Sequence, residues 1–112
     1  MSDYLIRLAK EREEAFSRLN EFLSRIKEFV ISRDKQGRVI LFGSVARGNP
    51  RPDSDIDVLI ISDVLGKDVK TKAGTMGEVM EMLNNEIFEI HVVTTREYET
   101  WYKRFMDVWI EV

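Results

Sequence analysis

The chain has 112 residues, 44% of them apolar, enough for the core of one compact domain and too few for a second, substrate-binding one beside it. A net charge of −3 argues against nonspecific attachment to nucleic acid. No apolar run is long enough to cross a membrane and no basic-then-apolar leader is recognisable, so a cytoplasmic protein is expected. The absence of cysteine excludes disulfides and thiolate metal sites.

Asp3 to Arg33 reads as one long amphipathic helix. Leu5, Leu8, Ala15, Leu19, Phe22, Ile26 and Phe29 recur in three- and four-residue steps, with only Arg12 interrupting. Such a stripe faces a core or a partner. Asp34 to Gly37 is a turn, and Arg38 to Phe42 a first strand rich in β-formers. Gly43-Ser44 breaks that strand ahead of Val45-Ala46-Arg47, which can make one helical turn. Backbone N–H groups and a hydroxyl at such a start suit an anionic oxygen, Gly43 lets a ligand approach the backbone closely, and Arg47 adds positive charge one turn on.

Asn49 to Asp53 is a proline-containing loop. Beyond it Asp55, Asp57 and Leu59 share one face of a strand, and Ile56, Val58 and Ile60 the other. Two carboxylates so close resist joint ionisation unless a cation lies between them, and hard divalent ions such as magnesium take oxygen ligands of this kind. The bland alternative is a polar strand end with solvated aspartates. Two rival motifs fail. Asp53, Asp55 and Asp57 imitate a calcium loop, but Val58 stands where its glycine is needed and Val64 where its closing glutamate is. Gly43 to Gly48 is no Walker loop, because Asn49-Pro50 follows in place of Lys and Ser or Thr.

Ser62 to Gly74 is expected to be a loop whose Lys67, Lys70 and Lys72 are either solvated or within reach of a triphosphate. Thr75-x-x-Glu78 has the form of a capping box opening a helix with Met76, Val79, Met80 and Leu83 on its apolar face, ended by Asn84-Asn85. Ile87 to Val93 is the next strand. Phe88, Ile90 and Val92 share its apolar face, while Glu89 and His91 look out of the core from the other. His91 is the only histidine; it either touches a substrate or acceptor or is structural. Thr94-x-x-Glu97 is a second capping box, opening a last helix to about Val108. Trp101, Phe105 and Trp109 step along it by four, with Tyr98, Tyr102 and Met106 beside them, either packed on the sheet or forming an interface that would make the chain an oligomer.

Charge is split along the chain. Residues 1–51 carry eleven Lys or Arg against seven Asp or Glu, a net +4, and residues 52–112 six against thirteen, a net −7. The Gly-Ser turn lies in the basic part and the paired aspartates in the acidic part, although most of these charges are surface.

Gly43-Ser44, Arg47-Gly48 and Ser54-Asp55-Ile56-Asp57 together resemble the signature of the DNA polymerase beta nucleotidyltransferase superfamily in its minimal, stand-alone form, the kind that includes the MNT antitoxins. The resemblance implies an α/β (α+β) domain with a small mixed sheet covered by helices on one side, residues 1–34 forming a leading helix and residues 38–112 the catalytic core. It implies that Asp55 and Asp57 hold two magnesium ions on a nucleoside triphosphate such as ATP, and that Gly43, Ser44 and Arg47 hold its phosphates. Glu89 matches the family's third carboxylate, one methylene longer than the usual aspartate, and stands open as metal ligand, general base or neither. The implied reaction is transfer of a nucleoside monophosphate to an acceptor hydroxyl. The implied partner is a small helical HEPN-type toxin protein, with a noncatalytic antitoxin or nucleotide-binding module as the alternative.

Overall fold

The computed structural model describes residues 2–51 and 53–112. Pro52, one of the two prolines of the predicted loop, and Met1 lie outside the described residues.

Helix α1 (Asp3–Ser17) opens on Ser2, whose Oγ accepts from the Leu5 N–H, and α2 (Leu19–Arg33) follows after Arg18 alone. The predicted single helix is therefore two. Arg18 leaves helical geometry at φ −120° and ψ 27°, although its N–H still donates to the Glu14 carbonyl and its carbonyl accepts from the Phe22 N–H. No glycine or proline marks the bend in the sequence. Ion pairs hold it, with the Arg18 guanidinium on Glu14 at 3.0 Å and on Glu21 at 2.8 Å.

Strand β1 (Arg38–Phe42) and the single turn α3 (Gly43–Ala46) follow as expected, and strand β2 (Ile56–Ile61) begins one residue after Asp55, which was expected on it. Helix α4 (Val69–Leu83) begins six residues ahead of Thr75, so the proposed capping box there is wrong. Asp68 is the true cap, its Oδ1 accepting from the Thr71 N–H, while Thr75 lies inside the helix and donates back to the Thr71 carbonyl. Lys70 and Lys72 are accordingly helical and not in a loop. Asn84 closes α4 in the left-handed region at φ 48°, a conformation asparagine tolerates.

Strand β3 (Phe88–Val93) leads into α5 (Thr95–Thr100), which carries both reciprocal bonds of the capping box between Thr94 and Glu97. The helix expected to reach Val108 stops at Thr100. A 3₁₀ turn at Tyr102–Arg104 and a last strand, β4 (Trp109–Glu111), follow it. Trp109 is thus a strand residue, and the helical aromatic stripe does not exist as such. Pairing with the free edge of β1 overrides the local pattern.

The sheet is mixed, in the order β3-β2-β1-β4. β1 runs antiparallel to β2 and to β4, whereas β2 and β3 are parallel, as their connection through α4 requires. On one face Val39, Leu41, Ile56, Val58, Ile60, Phe88, Ile90 and Val92 pack under α1, α2 and α4 through Ala15, Phe22, Ile26, Val30, Val79 and Leu83. The other face is not bare, as helices on one side alone would leave it. Ile40, Leu59, Ile61 and Val93 are covered by Tyr98 and Met106 from α5 and the segment after it. That cover protects the C-terminal ends of β2 and β3 and leaves their N-terminal ends open. Among the described residues no helix is long and apolar enough to cross a membrane.

Candidate active site at the open end of the sheet

Register decides which side chains meet on the open face. Phe42 of β1 stands opposite Asp57 of β2, Asp57 beside Glu89 of β3, and Leu59 beside His91. Side chains of one strand alternate between faces, so Phe42, Asp57, Glu89 and His91 emerge together. His91 Nε2 lies 3.6 Å from Glu89 Oε1 and 4.0 Å from Asp57 Oδ1. One donor atom from each of Asp57, Glu89 and His91 lies within 4.8 Å of the other two. The imidazole is walled by Phe42 at 5.5 Å between ring centres and by the edge of Tyr102 at 6.2 Å.

The electrostatics fit an unneutralised anionic cluster. Partial burial, and then the charge of Asp57, push the Glu89 carboxyl above its ordinary value; Asp55 adds to the push and His91 opposes it. Asp55 itself lies one residue before β2, outside the three-residue cluster but near enough to act on Glu89.

The Gly-Ser turn sits against the same carboxylates. Gly43 has φ 78°, a left-handed conformation, and a Cβ built on it would collide with Asp57 Oδ2. Glycine is required there twice over, by the turn and by the aspartate. Ser44 follows it as the second residue of α3, and Arg47 caps the turn. Arg47 also forms a 3.5 Å ion pair with Asp107, both groups largely exposed, so the contact is weak and open to exchange. Lys67 and Lys70 border a different cleft, between α2 and the start of α4, with Arg33 and Glu78. Lys72 is bound to Glu97 at 2.7 Å.

One residue that bears on the site lay hidden in the sequence as a flaw in a pattern. Arg12, the interruption of the apolar stripe of α1, donates from Nη1 to the carbonyl oxygen of Ser54. Ser54 in turn accepts at Oγ from the Arg51 N–H and donates its own N–H to the Arg51 carbonyl. The loop entering Asp55 is therefore tied to α1.

A mixed sheet with carboxylates gathered at the open end of one face, beside a Gly-Ser turn, is the architecture of the polymerase-beta-type nucleotidyltransferase fold. The chain belongs to the nucleotidyltransferase family: residues 23–108 match its nucleotidyltransferase domain. A crystal structure of a putative nucleotidyltransferase superposes with a TM-score of 0.66 at 31% identity, over 80% of this chain and 95% of that one. Another, from Sulfolobus solfataricus, shares the fold with a TM-score of 0.56 at 20% identity, over 90% of this chain and 85% of the other. Two relatives from Methanocaldococcus jannaschii, each named a putative protein adenylyltransferase, are 52% and 46% identical over 46 residues. Those matches take in 37% and 41% of this chain and only 46% and 44% of the relatives' own lengths.

Proposed function

We propose that the chain transfers the nucleoside monophosphate of a triphosphate, ATP foremost, to a hydroxyl on a partner protein. The observation that carries this reading is the meeting of Asp57 and Glu89 across β2 and β3, directly against the Gly43-Ser44 turn. The relatives named protein adenylyltransferases support adenylate as the group moved and protein as its acceptor.

The donor set fits a hard divalent ion: carboxylates converge within a few ångströms, and partial burial and then the charge of Asp57 raise Glu89. Asp55, Asp57 and Glu89 would hold magnesium. When bound, the ion offsets the charge of the triphosphate and of the pyrophosphate that leaves.

The chain's own groups do the rest. Backbone N–H groups at Gly43 and Ser44, with the Ser44 hydroxyl, hold phosphate oxygens, and Arg47 exchanges Asp107 for a phosphate. The acceptor oxygen forms a bond to the α-phosphorus, the bond from that phosphorus to the β-bridging oxygen breaks, and pyrophosphate departs. Glu89 is the carboxylate that takes the hydroxyl proton. The acceptor is presented by a second protein, for which a small helical HEPN-type protein is the favoured class. The exposed Trp101 and Phe105 beside α5 offer it an apolar contact.

Transfer of labelled nucleotide from ATP, with magnesium, onto the product of a neighbouring gene tests the reading. Label on a partner tyrosine, serine or threonine is expected. Glu89→Gln should lose transfer by about 10²-fold or more, the usual worth of a positioned general base, and weaken magnesium-dependent triphosphate binding much less than Asp57→Asn does. Asp57→Asn should lose magnesium-dependent triphosphate binding and keep the fold. The alternative, a noncatalytic module that masks its partner, is favoured by one feature, the side chain of Glu89 being 54% exposed and so loosely held. Tight partner binding with no label from the wild type would select it.

A further inference from the structure

The third group at the carboxylate pair is an imidazole. His91 Nε2 stands 3.6 Å from Glu89 Oε1 and 4.0 Å from Asp57 Oδ1, and the three donor atoms form one cluster. An ion with ligands at about 2.1 Å separates neighbouring donors by roughly 3.0 to 3.5 Å in octahedral or tetrahedral geometry. The two distances from His91 are up to about 1 Å wider and all three donors lie within 4.8 Å of one another, so rotamer movements of Asp57 and Glu89 would bring them onto one ion. The imidazole is aimed in advance. Phe42 and Tyr102 wall the ring, and the register that sets Leu59 beside His91 keeps it one pair along the sheet from Asp57 and Glu89.

We propose that His91 is a metal ligand, and that Asp57, Glu89 and His91 make a mixed oxygen and nitrogen site that takes a first-row transition ion such as Mn²⁺ in preference to Mg²⁺. The proposal rests on the metal site of the reading above and narrows its ion. Sites made only of carboxylate, carbonyl and water suit magnesium, which parts with its hydration shell reluctantly and demands near-ideal octahedral oxygen geometry. An imidazole nitrogen is a softer donor, and its affinity rises across the divalent first row from manganese towards copper. A rigid histidine in the cluster therefore adds more for Mn²⁺ than for Mg²⁺. It adds this without adding negative charge, so the site gains a ligand and no further repulsion against the triphosphate.

The chain has a single histidine, which makes the test direct. The full chain is loaded with Mn²⁺, with and without inorganic tripolyphosphate, which contains no nitrogen, and read by pulsed electron paramagnetic resonance. The expected result is imidazole nitrogen coupling to Mn²⁺ that changes when the wild type is grown with ¹⁵N-histidine and vanishes in His91→Gln. The labelled wild type decides the matter even if the variant folds poorly. Calorimetric titration should also show the ratio of Mn²⁺ to Mg²⁺ affinity falling about tenfold or more in His91→Gln. Bound Mn²⁺ without nitrogen coupling would overturn the role of His91 and leave the carboxylate metal site standing. No binding of Mn²⁺ under either condition would remove both.

Discussion

Gly43 and Asp57 are in contact across the strand pair: the space where a Cβ on Gly43 would sit is filled by Asp57 Oδ2. The Gly-Ser turn and the carboxylate are thus packed as one unit, and neither can be altered without moving the other. Gly43→Ala should cost about 1 to 3 kcal/mol, because the backbone is held at φ 78° and the methyl group must displace the aspartate. Thermal denaturation reads the stability, and triphosphate titration should show a loss of affinity. Gly48→Ala serves as control. It shares a positive φ of 80° and has open space around it, so it should be strained and leave nucleotide affinity unchanged.

The second prediction concerns the loop ahead of Asp55. Arg12→Met keeps the apolar stem of the side chain on α1 and removes the donor to the Ser54 carbonyl. A hydrogen bond to a charged group is worth about 1.5 to 3 kcal/mol when partly buried, so the loop should open more readily by that order. Amide hydrogen exchange should rise at residues 53–55 and hardly change in β3. Triphosphate affinity should fall about tenfold through misplacement of Asp55. Unaltered exchange would mean that the contact does not hold the loop.

A pH dependence follows from Glu97. Its carboxyl is held below the ordinary range first by Lys72 Nζ, at 2.7 Å, and then by the Thr94 N–H of the capping box. A depressed acid contributes stability that is present above its ordinary value near 4.5 and is lost as pH falls through the lower, folded value. Glu97→Gln should therefore destabilise the protein by only about 0.5 kcal/mol or less at neutral pH, since glutamine keeps the capping-box acceptor and a partly exposed ion pair adds only a few tenths. The difference from wild type should shrink below pH 4.5, where the wild-type carboxyl also becomes neutral. Denaturant titrations at pH 7 and pH 3.5 measure it.

The aromatic residues after α5 give a fourth. Trp101 and Phe105, 60% and 67% exposed, lie against each other with ring centres 5.0 Å apart and planes tilted by 58°. Trp101→Ser with Phe105→Ser should change monomer stability by less than about 0.5 kcal/mol, as surface substitutions do. The same pair of changes should weaken association with a second copy or a partner protein. Light scattering on the chain alone and in mixture with a candidate partner follows it.

Local pattern was enough for the elements whose burial agrees with their neighbours along the chain. β1 was legible to the residue, and the alternation of Asp57 with Ile56 and Val58, or of Glu89 with Phe88 and Ile90, placed each carboxylate on the polar face of its strand, because a strand buried on one side repeats every two residues. Thr94 and Glu97 marked the start of α5 for an equally local reason, a reciprocal bond over three residues. The bend at Arg18 could not be read, since it is held by ion pairs and the apolar stripe runs on through it from Ala15 to Leu19 and Phe22. Nor could β4. Trp109 continues a helical four-residue step in the sequence and becomes a strand residue only because β1 offers it an unpaired edge. The approach of His91 to Asp57 and the reach of Arg12 to Ser54 depend on register and on packing between residues 34 and 42 positions apart, and no pattern along the chain encodes those. Residue types supplied the chemistry available at each position; which of those groups meet was decided by the parallel pairing of β2 with β3 and by the docking of α1.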